Sequence, residues 1–121
     1  MNQGENILDL GCGGGRNAQY LAEQGYNVYG VDIADRAVEF CKKRFARFGL
    51  AGTFLQGTFE QIPFPDGFFS GIICVAALDH VTMETAGASM VEMSRVSRNG
   101  GILLTFDPPD TDEDIIDDAR V

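Results

Sequence analysis

Residues 8–17, LDLGCGGGRN, combine an acid, four glycines and an arginine directly after a short apolar run. A dinucleotide-binding loop has the spacing G-x-G-x-x-G, in which the third glycine lets a helix pack closely on a strand. Counting from Gly11, the chain has Gly13 but places Arg16 where the third glycine belongs. The spacing that fits is D-x-G-x-G-x-G, beginning at Asp9. An acid at the strand end disfavours a bare pyrophosphate and favours a ligand that carries an ammonium group.

A second acid, Asp32, stands 17 residues beyond Gly15, at the end of a predicted strand. A carboxylate at that place in a nucleotide-binding sheet accepts hydrogen bonds from the hydroxyls of a ribose. A nucleoside with a cationic amino-acid arm would therefore satisfy Asp9 and Asp32 together. The alternative interpretations are a plain strand-end acid for Asp32 and local hydrogen bonding within the loop for Asp9.

Two hydrophobic periodicities alternate along the chain and predict strands and helices in turn. Short apolar runs predict strands over 6–10, 27–33, 52–57, 68–78 and 102–107, and helical spacing predicts helices over 16–25, 34–49 and 82–101. Such alternation predicts a doubly wound, mostly parallel α/β sheet with helices on both faces. Right-handed crossovers favour the strand order 3-2-1-4-5, in which a ligand binds at the carboxyl ends of the first and fourth strands.

The apolar positions of each predicted helix indicate which side faces the sheet. Those at helical spacing are, in the second and third helices, Ala37, Phe40, Cys41, Phe45 and Phe48, and Met90, Val91, Met93 and Val96. Tyr20 of the first helix is predicted to lie in the core, with binding of a substrate as the alternative. Cys41 and Cys74 are predicted to be small core residues, and Cys12 to suit the loop by its size, with a redox or nucleophilic role as the alternative.

The composition predicts one domain over residues 1–121, with an acidic tail at 108–121. The net charge of −9 disfavours nucleic acid as a partner, because an acidic surface repels phosphate. The basic stretch Lys42–Arg47 is predicted to be the solvated face of a helix. No apolar run approaches the roughly 20 residues that cross a bilayer, and no signal peptide is recognised, so no membrane association is expected. Three cysteines without disulfide or zinc spacing predict reduced thiols, no metal site and a cytoplasmic location.

Several ordered segments between residues 5 and 107 resemble one protein family. They are ILDLGCGGGRNAQYLAEQGYNVYGVDIADRAVEFC (7–41), GTFEQIPFPDGFFSGIIC (57–74), LDHV (78–81) and MSRVSRNGGILLTF (93–106). Together they resemble the S-adenosylmethionine-dependent methyltransferases with the Rossmann-like fold, known as class I. The resemblance implies that fold and S-adenosylmethionine as the cofactor. The complete fold of the family has a closing antiparallel hairpin after the fifth strand, which is not recognised here.

The resemblance also implies a set of cofactor-binding residues. They are Asp9, Gly11, Cys12, Gly13, Gly14, Gly15, Arg16, Asp32, Ile33, Thr58, Phe59, Val75 and Ala76. The glycine-rich loop would wrap the methionine portion, with Asp9 near its ammonium and Arg16 near its carboxylate. Asp32 would bind the ribose.

The nucleoside side of the implied site contains two departures from the family pattern. Ile33 would lie against one face of the adenine, Thr58 and Phe59 along its edge, and residues 75–77 beside the sulfonium. Thr58 stands where the family commonly has an aspartate, and a hydroxyl accepts a hydrogen bond more weakly than a carboxylate does. Ser70 also replaces a common aspartate.

Two residues could take part in the chemistry. Methyl transfer from a sulfonium needs mainly alignment of the reacting atoms, and a general base only where the acceptor must lose a proton. His80, the single histidine, follows the fourth predicted strand and is the catalytic prediction, with a helix-capping or packing role as the alternative. Asp107, after the fifth strand, is a second prediction, with a turn before Pro108 as its alternative.

The sequence therefore favours an S-adenosylmethionine-dependent methyltransferase that acts on a small molecule. One alternative is a non-catalytic or truncated cofactor-binding module that works with another chain or segment. A second is a nicotinamide-dependent oxidoreductase, which Arg16 in the loop disfavours. The apolar segment 102–106 would form an exposed sheet edge, so we expect the acidic tail or a second copy of the chain to cover it.

Overall fold

The computed structural model describes residues 4–75, 78, 81–99 and 101–105 of the 121-residue chain. Five strands alternate with three helices: β1 (Asn6–Leu10), α1 (Arg16–Glu23), β2 (Asn27–Asp32), α2 (Asp35–Arg47), β3 (Thr53–Gln56), β4 (Gly71–Val75), α3 (Met83–Val96) and β5 (Ile102–Thr105). All neighbouring strands are parallel, and their order is β3-β2-β1-β4-β5. The predicted fold class and strand order are therefore confirmed. The carboxyl ends of β1 and β4 meet at the point where the strand order reverses.

The two faces of the sheet are covered by different helices. Successive strand residues point to opposite faces, so each apolar strand contributes to two cores. The cluster on the α3 side contains Leu8, Leu10, Val31, Ile62, Phe69, Ile72, Cys74, Leu78, Met93 and Val96. The cluster on the side of α1 and α2 contains Cys12, Ala18, Val28, Val38, Cys41, Phe45 and Phe54. Cys12 and Cys41 thus lie on one side of the sheet, and Cys74 lies on the other.

The helical faces predicted from the sequence are only partly correct. In α2 the buried residues are Val38, Cys41 and Phe45, whereas Phe40 is 56% exposed. Phe48, Met90 and Val91 are likewise exposed, and Tyr20 is 61% exposed instead of lying in the core. The reason is geometric, because adjacent helix positions are about 100° apart and a helix resting on a flat sheet buries only a narrow stripe.

The predicted bounds are close, with two exceptions. The fourth strand was expected over 68–78, but the pairing of β4 begins at Gly71 and ends at Val75. Phe69 still forms an isolated parallel bridge with Ser97, and that bridge follows the end of α3 at Val96. The predicted third helix is therefore shorter than 82–101. Apolar runs show where a chain is buried, not which of its residues pair in the sheet, and residues 76 and 77 of the predicted strand lie outside the described residues.

Thr82 caps the start of α3, because its side-chain oxygen accepts a hydrogen bond from the Thr85 N–H at 3.1 Å. Among the described residues, no helix combines the length and the apolar character that crossing a membrane requires.

Candidate functional site: the cleft at the carboxyl ends of β1 and β2

The glycine-rich loop, residues 11–15, leaves the end of β1 and is anchored to β2. The Gly11 N–H donates to the Val31 carbonyl at 2.7 Å, and the Gly15 N–H closes the turn on the Cys12 carbonyl at 2.9 Å. Gly11, Gly13 and Gly15 all have positive φ angles of 78°, 52° and 82°. Left-handed backbone of this kind is favourable only for glycine, so the alternating glycines of the sequence motif are a backbone requirement.

Gly15 meets a second requirement, because the loop crosses α2 there. A Cβ atom added at Gly15 would lie 3.1 Å from Cys41 Sγ and 3.6 Å from Cys41 Cα. Gly14 differs from its neighbours, since an added Cβ would have nothing within 4 Å and its φ is not positive. Only one of these two adjacent glycines is therefore fixed by packing and backbone geometry.

Asp9 lies beneath this loop and is almost completely buried, at 2% exposure. Its Oδ2 has no hydrogen-bond partner among the residues that the structure describes. Burial, and to a smaller extent the charge of Asp32, raises the pKa of Asp9 from 3.8 to about 7. A buried carboxylate oxygen without a partner is unusual in a folded protein and calls for a donor other than the described residues. The ammonium group of a ligand fits that need in charge and hydrogen bonding.

Asp32, at the end of β2, ties the loop to the start of the next segment. Its Oδ2 accepts the Gly13 N–H and its Oδ1 accepts the Ala34 N–H, both at 2.9 Å. Each carboxylate oxygen has a second lone pair, so both can still accept a hydrogen bond from a hydroxyl group. The backbone donors fix the orientation of the carboxylate, which suits it to bind a diol.

The remaining residues that the resemblance implied lie around the same edge of the sheet. Ile33 is 64% exposed directly after Asp32, and Thr58 is exposed on the loop that follows β3. The Gly57 N–H donates to the Asp32 carbonyl at 3.0 Å, which holds that loop beside the end of β2. Phe59 differs, because it is partly buried and packs against the core cluster under α3.

Two further implied residues lie at the ends of their elements. Arg16 is exposed at the first position of α1, and Val75 is exposed at the end of β4. Ala76, His80 and Asp107 lie outside the described residues. The structure therefore brings together Asp9, the glycine-rich loop and Asp32, with Ile33 and Thr58 at the rim.

Arg44 is a contributor to the loop that the sequence did not reveal. Its Nε donates to the Gly14 carbonyl at 2.9 Å, and its Nη1 donates to Gln19 Oε1. The basic stretch Lys42–Arg47 was predicted to be a solvated helix face, which is wrong for Arg44. Nothing in the spacing marks this residue, because its partners are 30 and 25 positions away in the sequence.

A second group of contacts holds the loop between β3 and β4 against α3. Arg95 donates to the carbonyls of Ile62 and Phe64 at 2.9 and 3.0 Å and pairs with Asp66 at 2.8 Å. Glu92 receives the Ile62 N–H at 2.8 Å and pairs with Arg95 at 2.7 Å. The Arg95 guanidinium holds the pKa of Glu92 below its usual value. Together these residues fix the course of the segment that begins with Thr58 and Phe59.

Ser70 and Thr58, the two residues that stand where the family commonly has an aspartate, lie at different edges of the sheet. It directly precedes β4, at the amino end of the strand, and its hydroxyl pairs with Arg98. The cleft lies at the opposite, carboxyl edge of the sheet. The replacement of aspartate by serine at this position therefore concerns the packing of the strand entrance rather than the ligand.

Comparison with known proteins agrees with this geometry. A family model described as a methyltransferase domain matches residues 8–105. The chain is 32% identical over 107 residues to an uncharacterised methyltransferase of Synechocystis, covering 88% of this chain and 49% of that protein. It is 34% identical over 101 residues to a malonyl-[acyl-carrier protein] O-methyltransferase of Serratia marcescens, covering 84% of this chain and 37% of that protein.

A solved structure of an S-adenosylmethionine-dependent methyltransferase from Methanosarcina mazei superimposes with a TM-score of 0.76 at 27% identity. The match covers 80% of this chain and 49% of that one. The chain belongs to the class I, S-adenosylmethionine-dependent methyltransferase family. It spans about half the length, or less, of the curated relatives it matches. S-adenosylmethionine is the cofactor of this family, and the unpartnered oxygen of Asp9 is compatible with its ammonium group.

Proposed function

We propose that the cleft at the carboxyl ends of β1 and β2 binds S-adenosylmethionine and that the protein transfers its methyl group to a small-molecule acceptor. One observation carries the proposal. Asp9 is buried, its Oδ2 has no partner among the described residues, and it stands two positions before a glycine-rich loop whose backbone is left-handed at three positions. A pyrophosphate would be repelled by that carboxylate, whereas an α-ammonium group would be attracted.

The residues divide the cofactor between them. Asp9 would accept hydrogen bonds from the ammonium, and the loop Gly11, Cys12, Gly13, Gly14 and Gly15 would enclose the methionine chain, with Arg16 near its carboxylate. Asp32 would bind the ribose hydroxyls in the orientation that its two backbone donors set. Ile33 would cover the adenine, with Thr58 and Phe59 along its edge, and Val75 and Ala76 would flank the sulfonium.

The chemistry asks little of the chain beyond alignment. S-adenosylmethionine, when bound, supplies a methyl group that its sulfonium already activates. Asp9 and Asp32 would hold the two ends of the cofactor, and the rate gain would arise from the alignment of its methyl group with the acceptor. His80 remains the predicted group for an acceptor that must lose a proton, and it lies outside the described residues.

The acceptor is proposed only as a class. The name of the Serratia relative states O-methylation of a malonyl group on a carrier protein. We therefore propose an oxygen atom of a small acid or phenol as the methyl acceptor here. Absence of a nucleic-acid or membrane partner and the cytoplasmic location stay predictions from charge, hydropathy and the cysteine pattern.

Calorimetry tests the cofactor site directly. We expect S-adenosylhomocysteine to bind and NAD to give no heat, and Asp32→Asn to weaken binding by about tenfold or more, as loss of a charged hydrogen-bond partner does. Asp35→Asn is the matched control, because this exposed acid stands three positions away in the first turn of α2. Binding of NAD with no binding of S-adenosylhomocysteine would overturn the proposal.

Turnover separates the enzyme from the alternative of a non-catalytic module. We expect transfer of a labelled methyl group to at least one member of a panel of fatty acids, malonyl thioesters and phenols. Tight binding of S-adenosylhomocysteine with no transfer to any acceptor would favour the module.

A further inference from the structure

Two cysteines meet beneath the glycine-rich loop, although 29 positions separate them in the sequence. Cys12 lies in the loop and Cys41 lies in the middle of α2, and their Sγ atoms are 3.5 Å apart. The Cys41 thiol is also within hydrogen-bond distance of the Gly13 carbonyl, at 3.2 Å. Cys74 lies on the other side of the sheet, in the α3 cluster.

The surroundings hold this pair in place without joining it. A Cβ atom added at Gly30 of β2 would lie 3.1 Å from Cys12 Cβ, and one at Gly15 would lie 3.1 Å from Cys41 Sγ. The Cys41 sulfur is thus confined by Gly15, and the Cβ atom of Cys12 lies close to Gly30. A disulfide needs an S–S distance of about 2 Å, so the two atoms must approach by about 1.5 Å. A loop with glycine at four of its five positions can supply a movement of that size.

The electrostatic setting makes the two sulfurs unequal. The contact with the Cys12 thiol, and to a smaller extent the nearby Arg44, lowers the pKa of Cys41, while burial, Asp9 and Asp32 act in the opposite direction. The pKa of Cys12 is raised, chiefly by the same contact and by burial. One sulfur of the pair is therefore more readily ionised than the other, and the thiolate is the form that attacks an oxidant. Both thiols are buried, so the oxidant reaches them only when the glycine-rich loop moves.

We propose that Cys12 and Cys41 form a reversible oxidation site, which closes into a disulfide with a peroxide and thereby lowers the affinity of the loop for its cofactor. The first half of the proposal concerns the two thiols alone. The second half rests on the proposed function, because it requires the loop to bind S-adenosylmethionine.

The reaction balances with hydrogen peroxide as the oxidant. One sulfur, as its thiolate, attacks the O–O bond and becomes a sulfenic acid, and the leaving hydroxide takes up a proton to form water. The second sulfur then displaces the hydroxyl group of the sulfenic acid, which leaves with the remaining thiol proton as a second water. The two thiols lose two electrons in total and the peroxide gains them. A dithiol reductant returns the pair to its starting state.

Closure would disturb the contacts on which the cleft depends. The Cys41 thiol can no longer donate to the Gly13 carbonyl once its proton is lost. The Gly13 N–H donates to Asp32 Oδ2. A displacement of Cys12 towards α2 would therefore move Gly13, the next residue, and through it Asp32, which is proposed to bind the ribose. A bound cofactor should in turn cover the loop and slow the oxidation.

The test begins with the chain itself. The reduced protein is treated with hydrogen peroxide, with and without saturating S-adenosylhomocysteine, and then alkylated, digested and mapped by mass spectrometry. We expect a loss of two hydrogens from the intact mass, a Cys12–Cys41 crosslinked peptide, slower formation with ligand, and reversal by dithiothreitol. Three alkylated thiols after treatment without ligand, or a crosslink that includes Cys74, would overturn the oxidation site.

Calorimetry with S-adenosylhomocysteine, before and after peroxide, tests the effect on binding. We expect affinity to fall about tenfold or more in the wild type and in Cys74→Ser, which keeps the pair. In Cys41→Ser and in Cys12→Ala, we expect the affinity of each variant before and after peroxide to differ by less than about twofold. An equal loss in these two variants, or no loss in the crosslinked wild type, would overturn the regulatory half. If the reduced wild type does not bind S-adenosylhomocysteine, the proposed function is contradicted, whereas the oxidation site shown by a mapped crosslink is not affected.

Discussion

At the scale of single residues, Asp9 is the group whose state matters most for the cleft. Its carboxylate is buried, has one oxygen without a partner among the described residues, and has its pKa raised to about 7 by burial and by the charge of Asp32. Binding an ammonium requires the ionised form, whereas the empty cleft near neutral pH holds a mixture of both forms. Ligand binding must therefore be linked to release of a proton.

This linkage predicts a pH-dependent affinity. As the pH is lowered from 7 to 5.5, Asp9 takes up a proton, and the affinity for S-adenosylhomocysteine should fall by roughly tenfold per pH unit. Above pH 7 the affinity should level off. Calorimetry in buffers of different ionisation heats measures both the affinity and the released proton. In Asp35→Asn the slope should be retained, and in Asp9→Asn the binding should be weak and the slope absent. A wild-type affinity that is flat over this range contradicts the role of Asp9.

The same carboxylate predicts an effect on stability. The folded pKa of about 7 lies above the unfolded value of 3.8, so the native state binds the extra proton between these limits. The contribution of Asp9 to stability is therefore fully present below pH 4, is lost as the pH rises towards 7, and stays lost above it. A shift of this size corresponds to ~4 kcal/mol at most.

Asp9→Asn should accordingly raise the free energy of unfolding at pH 8 by up to a few kcal/mol. The gain should shrink as the pH falls and vanish near pH 4, since the wild-type side chain is then neutral as well. Urea unfolding of the ligand-free proteins at several pH values measures the difference. A variant that is less stable than the wild type at pH 8 would contradict the burial of an unpaired charge.

At the scale of elements, the glycine-rich loop offers a matched pair of substitutions. Gly15→Ala introduces a Cβ 3.1 Å from Cys41 Sγ at a φ of 82°, whereas Gly14→Ala introduces one with nothing within 4 Å. We expect Gly15→Ala to lower stability by about 1–2 kcal/mol and to weaken S-adenosylhomocysteine binding, because alanine disfavours left-handed backbone. Gly14→Ala should unfold like the wild type. Equal effects of both changes would show that the loop has another conformation.

The loop between β3 and β4 depends on α3 through Arg95. Arg95→Ala removes the donors for the Ile62 and Phe64 carbonyls and should cost about 1–2 kcal/mol, a modest value because the side chain is one-third exposed. Since the loop carries Thr58, we also expect the preference for S-adenosylhomocysteine over its inosine analogue to fall, measured well below the unfolding temperature.

The control for Arg95 is Arg47→Ala, because Arg47 stacks over Phe48 on the exposed side of α2. It should alter neither stability nor base preference by a measurable amount. If Arg95→Ala lowers stability but does not change the preference for S-adenosylhomocysteine over its inosine analogue, Arg95 stabilises the fold and does not affect recognition of the base.

At the scale of the whole molecule, β5 ends the sheet in the part of the chain that the structure describes. An unpaired parallel edge invites pairing with another chain, so natural proteins cover or charge it. We expect residues 108–121 or a second copy of the chain to provide the cover. Scattering over a concentration series, with amide exchange at residues 102–105, checks this for the full chain and for one that ends at Asp107. A monomer with rapid exchange at this edge would contradict both covers.

Much of the fold could be predicted because its signals are local. Apolar runs that end in glycine, helical spacing between them and right-handed crossovers were enough for the strand order β3-β2-β1-β4-β5. Exposed Phe40 and Tyr20 show the limit, since periodicity identifies an apolar side of a helix but not the width of the stripe that a neighbour covers. The family's motifs likewise predicted which residues line the cleft, and those roles stay predictions.

By itself, the sequence determined the class of fold, the need for glycine at Gly11, Gly13 and Gly15, and the acids at the ends of β1 and β2. Each is a property of a short segment: a φ angle, a periodicity, a position at a strand end. Only the tertiary structure decided that Asp9 Oδ2 has no partner in the part of the chain described, that Arg44 holds the loop and that Cys12 meets Cys41. These features arise where segments about 30 residues apart come into contact, and the environment created there is what sets a pKa, a hydrogen bond or the reactivity of a thiol.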